Sequence, residues 1–230
     1  FQDNIMTDSY GLGNSVYVRN GNQADWTVNV EQTFTGNVME QVRYEGEWPF
    51  NDYDSYVYPS LIEAILSVDD GSYEATDLVV DHVVTITDNE MMQAVDSYDG
   101  ITVESVVEQI NGTTEHAFGA TVTVNTVENF WGYLYDDYYD YLYGDGIDVY
   151  SYTDGDLGSI SADNNVVVEG NTILGAMSGI YYDYAYSSGI YVDVEVYSDG
   201  DRALDANSVV YISVSDNYIE ELPAGAEVYL

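Results

Sequence analysis

Aspartate residues cluster with glycine in four short segments whose chemistry suits hard cations. The segments are 69–71, 145–148, 154–156 and 199–201. Carboxylate and carbonyl oxygens on a tight turn are the ligands that Ca²⁺ prefers, although Asp-Gly is also ordinary turn chemistry. The spacing fits neither the EF-hand nor the glycine-rich nonapeptide repeat. With a plain turn as the alternative, we predict that calcium or another divalent cation binds at some of six aspartates: Asp145, Asp148, Asp154, Asp156, Asp199 and Asp201.

Two tyrosine-rich runs, 131–152 and 181–191, are the densest aromatic segments of the chain. Every buried phenol hydroxyl needs a hydrogen-bond partner, so a core cannot absorb this many. Tyrosine also offers a large contact area at a low cost in conformational entropy. An exposed tyrosine-lined sheet face and a platform for stacking carbohydrate are the alternatives to a self-association surface. The residues that we predict for self-association are Trp131, Tyr133, Tyr135, Tyr139, Tyr141, Tyr143, Tyr181, Tyr182, Tyr184 and Tyr186.

The residues that catalysis would need are scarce. His82 and His116 have no basic neighbour, and Arg202 stands beside Asp201 without a second cation. Serine nucleophile elbows, phosphate-binding glycine loops and zinc-ligand spacings are absent from the sequence. Paired carboxylates discriminate nothing in a chain with 42 acidic residues. We therefore predict a protein that is not an enzyme, and no cofactor beyond the possible divalent cations.

The charge balance limits the partners of this protein. Arg19, Arg43 and Arg202 are the only Lys or Arg residues, and the formal net charge is −39 over 230 residues. The folded form therefore repels itself unless cations, salt or a partner surface neutralise it. Binding to nucleic acid requires a basic patch, which this chain cannot assemble.

The remaining composition predicts a folded, exported β protein. Hydrophobic residues make up 46% of the chain and aromatic residues 14%, which is unlike disordered acidic chains. Valine, isoleucine, tyrosine and threonine favour strands, and no apolar run is long enough to span a membrane. The chain starts at Phe1 and has no cysteine. We expect a mature extracellular chain after removal of a signal peptide, with Asn111 in an Asn-Gly-Thr sequon as a candidate glycosylation site.

A short pattern recurs along the chain: apolar, any, apolar, any, any, Asn, any, apolar. It occurs at 84–91, 166–173 and 212–219, with looser versions at 122–129 and 28–37. Successive strand-like segments are spaced by about 21 residues, which is typical of one coil of a β-solenoid. Alternate apolar residues would face inward, and the asparagine after each strand would bond neighbouring backbone at a corner.

This pattern resembles that of the right-handed parallel β-helix superfamily, which includes pectate-lyase-like repeats. The resemblance covers residues 76–222 and implies an all-β, right-handed parallel β-solenoid with coils of about 21 residues. An antiparallel β-sandwich, whose strands also alternate with turns, is the alternative. Residues 1–75 are less regular, and Ser60 with Glu63 predicts a short helix over 60–66. No linker divides the chain, so we predict one domain over 1–230.

These features together predict a structural role. We expect a secreted subunit that binds copies of itself and forms a sheath, surface layer, tube or filament, which acts as a protective permeability barrier. By composition the chain resembles archaeal surface-layer proteins and the sheath proteins of filamentous methanogens, which are acidic, tyrosine-rich and free of cysteine. The alternative is a secreted carbohydrate-binding or carbohydrate-active β-helix, which requires a groove with aromatic and polar groups.

Overall fold

The computed structural model describes residues 1–7, 12–20, 24–40, 60–92, 99–130, 133–135, 141–175, 184–186, 188–197, 205–220, 222 and 224–230. These residues form twenty strands and no helix. The strands are β1 Ile5–Thr7, β2 Leu12–Asn20, β3 Trp26–Thr35, β4 Val38–Glu40, β5 Ile62–Asp70, β6 Thr76–Thr87, β7 Glu90–Met92, β8 Ile101–Gln109, β9 Gly112–Thr123, β10 Thr126–Phe130, β11 Tyr133–Tyr135, β12 Tyr141–Tyr143, β13 Ile147–Gly155, β14 Ser159–Glu169, β15 Thr172–Gly175, β16 Tyr184–Tyr186, β17 Ser188–Tyr197, β18 Asp205–Ser215, β19 Tyr218–Glu220 and β20 Ala224–Tyr229.

Three parallel sheets run the length of the molecule. Sheet 1 has the order β2-β5-β8-β13-β17-β20, sheet 2 the order β18-β14-β9-β6-β3, and sheet 3 the order β1-β4-β7-β10-β15-β19. From β2 onward the chain visits sheets 1, 2 and 3 in turn and then returns to sheet 1, one strand further along. The architecture is all-β and consistent with a parallel β-solenoid, and the parallel pairing excludes the antiparallel sandwich.

The fourth sheet is small and separate from this cycle. It contains β11, β12 and β16, with β11 antiparallel and β16 parallel to β12. Its strands come from two segments that connect sheet 3 to sheet 1, before β13 and before β17.

The predicted coil length of about 21 residues is wrong. Asn89 and Asn125, which occupy equivalent positions in successive coils, are 36 residues apart, and Asn125 and Asn171 are 46 residues apart. The spacing of about 21 residues is the mean separation between successive strands of sheets 1 and 2, which is roughly half a coil. Sheet 3 strands are short, for example three residues in β7 and five in β10. Such strands carry too little alternation to be recognised in the sequence.

The predicted short helix at 60–66 is also wrong, because Ile62–Asp70 forms β5 within sheet 1. The hydrogen bond expected of a helix cap is nevertheless present: the Ser60 N–H donates to Glu63 Oε1 at 3.1 Å. Alternate residues of β5 are buried, and Ile62, Ala64 and Leu66 belong to the core. This period of two fits a strand and not a helix. Sheet pairing therefore extends well before residue 76.

The core lies between the three sheets. Strands inside sheets 1 and 2, such as β6 and β13, alternate buried and more exposed positions, so each contributes one buried row that is largely apolar. Sheet 3 contributes the buried Met39, Met91, Val127 and Ile173. Stacked coils place like residues above each other. Ile62, Ile101, Ile147 and Ile190 form one such column in sheet 1.

The turn that enters sheet 1 leaves no room for a side chain. A Cβ at Gly146 would lie 2.5 Å from the carbonyl oxygen of Gly189 and 2.6 Å from Ile173 Cγ2. We expect Gly146→Ala to lower the free energy of unfolding by about 2–3 kcal/mol, since the backbone must shift or the core must strain. Gly119→Ala is the matched control, because a Cβ there meets nothing within 4 Å. Denaturant unfolding at fixed salt measures both, and equal losses would contradict this packing.

Candidate functional site

A column of asparagines marks the corner between sheets 2 and 3. The backbone N–H and the side-chain Nδ2 of each asparagine except the last donate to Oδ1 of the asparagine in the next coil, at 2.8–3.1 Å for Asn89 on Asn125. The second Nδ2 hydrogen of Asn125 bonds the Ile86 carbonyl of the preceding coil at 2.9 Å. The same pattern repeats through six coils at Asn4, Asn37, Asn89, Asn125, Asn171 and Asn217.

The residue before each asparagine adopts a left-handed conformation that turns the chain into sheet 3. Its φ lies between 51° and 66° in all six coils, at Asp3, Gly36, Asp88, Val124, Gly170 and Asp216. Glycine and aspartate tolerate this region, whereas a β-branched residue such as the valine at position 124 is rarely found in it. The asparagine column was predicted at 37, 89, 171 and 217. The fourth member is Asn125, and not Asn129 as the looser 122–129 match suggested.

Acidic residues form a second column where sheet 3 leads into sheet 1. Asp99 Oδ1 accepts the Asp145 N–H at 2.7 Å, and Asp145 Oδ1 accepts the Ser188 N–H at 2.5 Å. Asp99 Oδ2 also accepts the Thr102 hydroxyl at 2.8 Å, and that hydroxyl lies 2.6 Å from Ser60 Oγ. These carboxylates thus tie one coil to the next, as the asparagine amides do at the other corner.

Burial makes this acidic column easier to protonate. Asp99 is 2% exposed, and desolvation raises its pKa from 3.8 to about 7, helped by the nearby charges of Asp145 and Glu63. Desolvation likewise raises the pKa of Asp145 to about 6. Asp148, three residues further on, has a pKa well above its usual value for the same reason, with Asp99 and Asp145 adding repulsion. Asp99 stands directly before Gly100 and so carries the same aspartate–glycine signal, although the predicted cation ligands do not include it.

The six predicted cation ligands do not come together. Asp145 and Asp148 lie where sheet 1 begins, while Asp154 and Asp156 lie at the opposite ends of its strands, in a surface cleft of about 200 Å³. Asp69, Asp70 and Glu108 line the same cleft. Asp199 and Asp201 lie outside the described residues. Within the described ranges, no group of three or more His, Asp or Glu residues is arranged to hold a metal ion, so the cation site stays a prediction.

Asp70, the most buried acid of the cleft, has a structural role. Its Oδ2 accepts the Thr76 hydroxyl at 2.8 Å and the indole N–H of Trp26 at 3.1 Å. Its Oδ1 accepts the Ser72 N–H at 3.0 Å. Both oxygens therefore organise the turn between sheets 1 and 2.

Tyrosine hydroxyls serve as partners of carboxylates on the same strand. The Tyr218 hydroxyl donates to Glu220 Oε2 at 2.6 Å, and Tyr229 donates to Glu227 Oε2 at 3.2 Å. Tyr152 donates to Asp154, two residues away. Side chains two residues apart share one face of a strand. Phenol hydroxyls thus give the carboxylates hydrogen bonds that lysine and arginine give in most proteins. Among the described residues, the salt bridge is Arg19–Asp69.

The predicted self-association tyrosines fall into two groups. Six of them lie in the small sheet, where the register sets tyrosine opposite tyrosine: Tyr133–Tyr143–Tyr186 and Tyr135–Tyr141–Tyr184. Trp131, Tyr139, Tyr181 and Tyr182 lie outside the described residues. The structure therefore brings six of the ten predicted positions together.

Both histidines lie inside the stack. His82 Nε2 is 2.8 Å from Gln32 Oε1, and His116 is bracketed by the hydroxyls of Ser105 at 2.9 Å and Thr153 at 2.7 Å. Burial lowers the pKa of His82 to about 4 and that of His116 to about 3, the latter with a contribution from His82. Both rings are therefore neutral at physiological pH and connect coils through hydrogen bonds.

Asn111 lies in the turn between β8 and β9 and is partly buried. Its Nδ2, the atom that would carry a glycan, donates to the Tyr73 carbonyl at 2.9 Å. Glycosylation of Asn111 stays a prediction.

In comparisons with known proteins, no family model matches the chain, and no curated protein or solved structure matches it. Among the described residues no helix has the length and apolarity needed to cross a membrane.

Proposed function

We propose that this protein is an extracellular structural subunit that assembles with copies of itself into a sheath, surface layer, tube or filament. The observation that carries the proposal is the tyrosine-on-tyrosine register of β11, β12 and β16, in a small sheet apart from the three main sheets. Strands with such aromatic rows suit contacts between subunits, because tyrosine buries a large area and orders few torsions.

Exposed aromatic residues elsewhere support the same proposal. Tyr17 is 73% exposed, Tyr73 80% and Tyr211 59%, and they lie on sheet 1, the turn after it and sheet 2. A tyrosine side chain provides a large contact area at a low cost in conformational entropy, so each of these positions suits a contact between subunits. The stack therefore offers contact residues on several sides, as a layer or sheath requires.

The proposal includes a specific fold, the right-handed parallel β-helix. Connections between parallel strands of one sheet are right-handed in about 98% of cases. We therefore assign the cycle of sheets 1, 2 and 3 to a right-handed β-helix of the kind that the asparagine pattern resembles. Such a rod is a stiff building block, with every coil hydrogen-bonded to its neighbours.

The net charge of −39 affects both what an assembled layer would do and the conditions under which it would form. A layer of such subunits repels anions and concentrates cations, and would act as a permeability barrier. The same charge opposes close packing, unless salt screens it over about 10 Å at 0.1 M or divalent cations bridge carboxylates.

We expect the protein to form large particles at molar NaCl and to disperse when desalted in the presence of a chelator. Negative-stain electron microscopy and light scattering of the same sample, taken through both conditions and back, measure this. Monomers at every salt and calcium concentration would contradict the proposed function. Particles that survive desalting and exhaustive chelation would exclude cation bridging while leaving self-assembly in place.

A further inference from the structure

We propose that Thr76 and Gln109 become joined by an ester bond that the folded chain makes by itself, from the Thr76 hydroxyl oxygen to the side-chain carbonyl carbon of Gln109, with release of ammonia. Thr76 begins β6 and Gln109 ends β8, so the bond links two successive coils at the corner between sheets 1 and 2. The inference does not depend on self-assembly, because all the groups that it needs belong to one copy of the chain.

The Thr76 hydroxyl already has a proton acceptor. It donates to Asp70 Oδ2 at 2.8 Å, and both side chains are buried, with Asp70 1% and Thr76 3% exposed. A carboxylate at hydrogen-bond distance from a hydroxyl is the arrangement in which a general base activates a nucleophile. Thr76 Oγ1 is therefore the candidate nucleophile.

The Gln109 carboxamide lies against that hydroxyl. Its Nε2 donates to Thr76 Oγ1 at 3.1 Å and to the Thr76 carbonyl at 2.9 Å. The carbon to be attacked, Cδ, is bonded directly to this nitrogen. Rotation about the Cγ–Cδ bond, a torsion with a broad minimum, turns the face of Cδ towards Thr76 Oγ1.

Thr114 supplies the group that stabilises the negative charge of the intermediate. Its hydroxyl donates to Gln109 Oε1 at 2.5 Å, and Thr114 is 1% exposed. Oε1 becomes negative when Cδ is attacked, and a donor that is already in place on this oxygen favours that charge. The described residues thus place a base, a nucleophile, an amide and an oxyanion donor side by side.

The reaction exchanges one bond for another. Thr76 Oγ1 forms a bond to Cδ of Gln109 while its proton passes to Asp70 Oδ2. Asp70 then returns the proton to Nε2, the Cδ–Nε2 bond breaks, and ammonia leaves. An amide and a hydroxyl have become an ester and ammonia, with no oxidant or reductant and with Asp70 unchanged. The step is intramolecular, and the released ammonia is diluted into solvent, so the reverse reaction is negligible.

The constellation is local and is not a by-product of coil stacking. In sheet 1, Asp70 pairs with Gln109, but the same column has Asn20 in the coil before and Gly155 in the coil after. In sheet 2, Gly112 pairs with Thr76, and a Cβ at Gly112 would overlap the Thr76 carbonyl. The glycine therefore lets the main chain of Thr76 come close to the neighbouring coil.

The surroundings suit both the reaction and the survival of its product. Asp70 and Gln109 line the surface cleft of about 200 Å³, which gives ammonia a way out. Gln109 is itself only 4% exposed, so the ester is shielded from hydrolysis by water. The link closes a loop between positions 33 residues apart in a chain without cysteine, and it would constrain the unfolded chain as a disulfide does.

Mass spectrometry of the full chain tests the bond directly. The protein is refolded at molar NaCl and neutral pH, incubated, denatured and cleaved after glutamate, which places Thr76 in peptide 75–90 and Gln109 in peptide 109–115. We expect an intact mass lower by one ammonia, and the two peptides joined to each other. Mild hydroxylamine, which cleaves esters and leaves amides intact, should separate them.

Substitutions assign the roles, with thermal unfolding as the check on folding. Thr76→Val has the same shape without the hydroxyl, and we expect no joined peptide. Thr76→Ser is the matched control, which keeps the hydroxyl and should give the joined peptide. Asp70→Asn keeps an oxygen for the Ser72 N–H and removes the base, so joining should slow by about 100-fold or more.

Each outcome decides the inference. Separate peptides from the folded wild type, or joined peptides from Thr76→Val, would show that it is wrong. Ammonia lost only within peptide 109–115 would also overturn it, because that loss comes from Thr114 as the nucleophile or from cyclisation at Asn111. If a variant does not fold, the wild-type peptide map still decides. Particles without the ester would contradict this inference alone, whereas an ester in a protein that stays monomeric would contradict only the proposed function.

Discussion

Asn125→Ala is expected to lower the free energy of unfolding by about 3–5 kcal/mol. Asn125 is 1% exposed and its Oδ1 is the acceptor for both the N–H and the Nδ2 of Asn89. Alanine leaves the buried N–H of Asn89 without a partner and takes one of three acceptors from its Nδ2. It also removes the donor to the Ile86 carbonyl. Each buried polar group that loses its partner costs about 1–3 kcal/mol. Denaturant unfolding at constant molar salt measures the difference.

Asn165→Ala is the matched control for this experiment. Asn165 lies on the exposed outer face of β14, so we expect a change within about 0.5 kcal/mol. An Asn125→Ala variant as stable as Asn165→Ala would show that the column contributes nothing to the stacking of coils.

Acidification from pH 8 to pH 5 is expected to stabilise the fold by about 3–4 kcal/mol through Asp99 and Asp145. Burial raises the pKa of Asp99 from 3.8 to about 7 and that of Asp145 to about 6, so the folded form binds protons more tightly than the unfolded chain. Stability therefore increases as the pH falls through the raised pKa values, and the gain is complete only below the unfolded value of 3.8. Each unit of pKa difference corresponds to about 1.4 kcal/mol.

Asp99→Asn separates this column from the general relief of repulsion on acidification. The variant keeps Oδ1, which accepts the Asp145 N–H, and carries no charge. We expect it to be more stable than wild type at pH 8 by about 2 kcal/mol, with a flatter pH dependence. Asp163→Asn on the exposed face of β14 is the control and should keep the slope of the wild type. Parallel slopes for Asp99→Asn and wild type would contradict the assignment to Asp99.

The two corner columns connect successive coils of this chain, whose net charge is −39, in different ways. The asparagine corner is neutral and carries a directional chain of amide hydrogen bonds, whereas the aspartate corner places carboxylates above one another. The raised pKa values of Asp99 and Asp145 result mainly from the burial of these carboxylates at that corner, a cost that protonation reduces. Phenol–carboxylate pairs such as Tyr218–Glu220 satisfy acids elsewhere without adding positive charge.

Strand content, parallel stacking and the asparagine corner were accessible from the sequence because they recur with fixed local spacing. The coil length was not accessible, because β7 and β10 are too short to show an alternating pattern and were therefore not recognised as strands. Asn125 fits the pattern that begins at Ala120, but Val124 continues the apolar alternation by two residues and so shifted the expected asparagine to 129. Asn4 was missed because the given sequence has only three residues before it, too few to show the pattern.

The strand at 62–70 shows how a local signal can mislead. Ser60 and Glu63 make the hydrogen bond of a capping box, yet Ile62, Ala64, Leu66 and Val68 alternate into the core. Tertiary burial with a period of two outweighed a helical propensity of a few tenths of a kcal/mol per residue. The acidic column was inaccessible for another reason: Asp99 and Asp145 are 46 residues apart, and only the stacking of coils brings them together.

Cryo-electron microscopy of particles grown at molar NaCl tests most directly whether copies of this protein assemble through the small sheet. The account predicts that β11, β12 and β16 of one copy lie against a neighbouring copy in these particles. Particles in which this sheet faces solvent in every copy, or the absence of any particles, would contradict it.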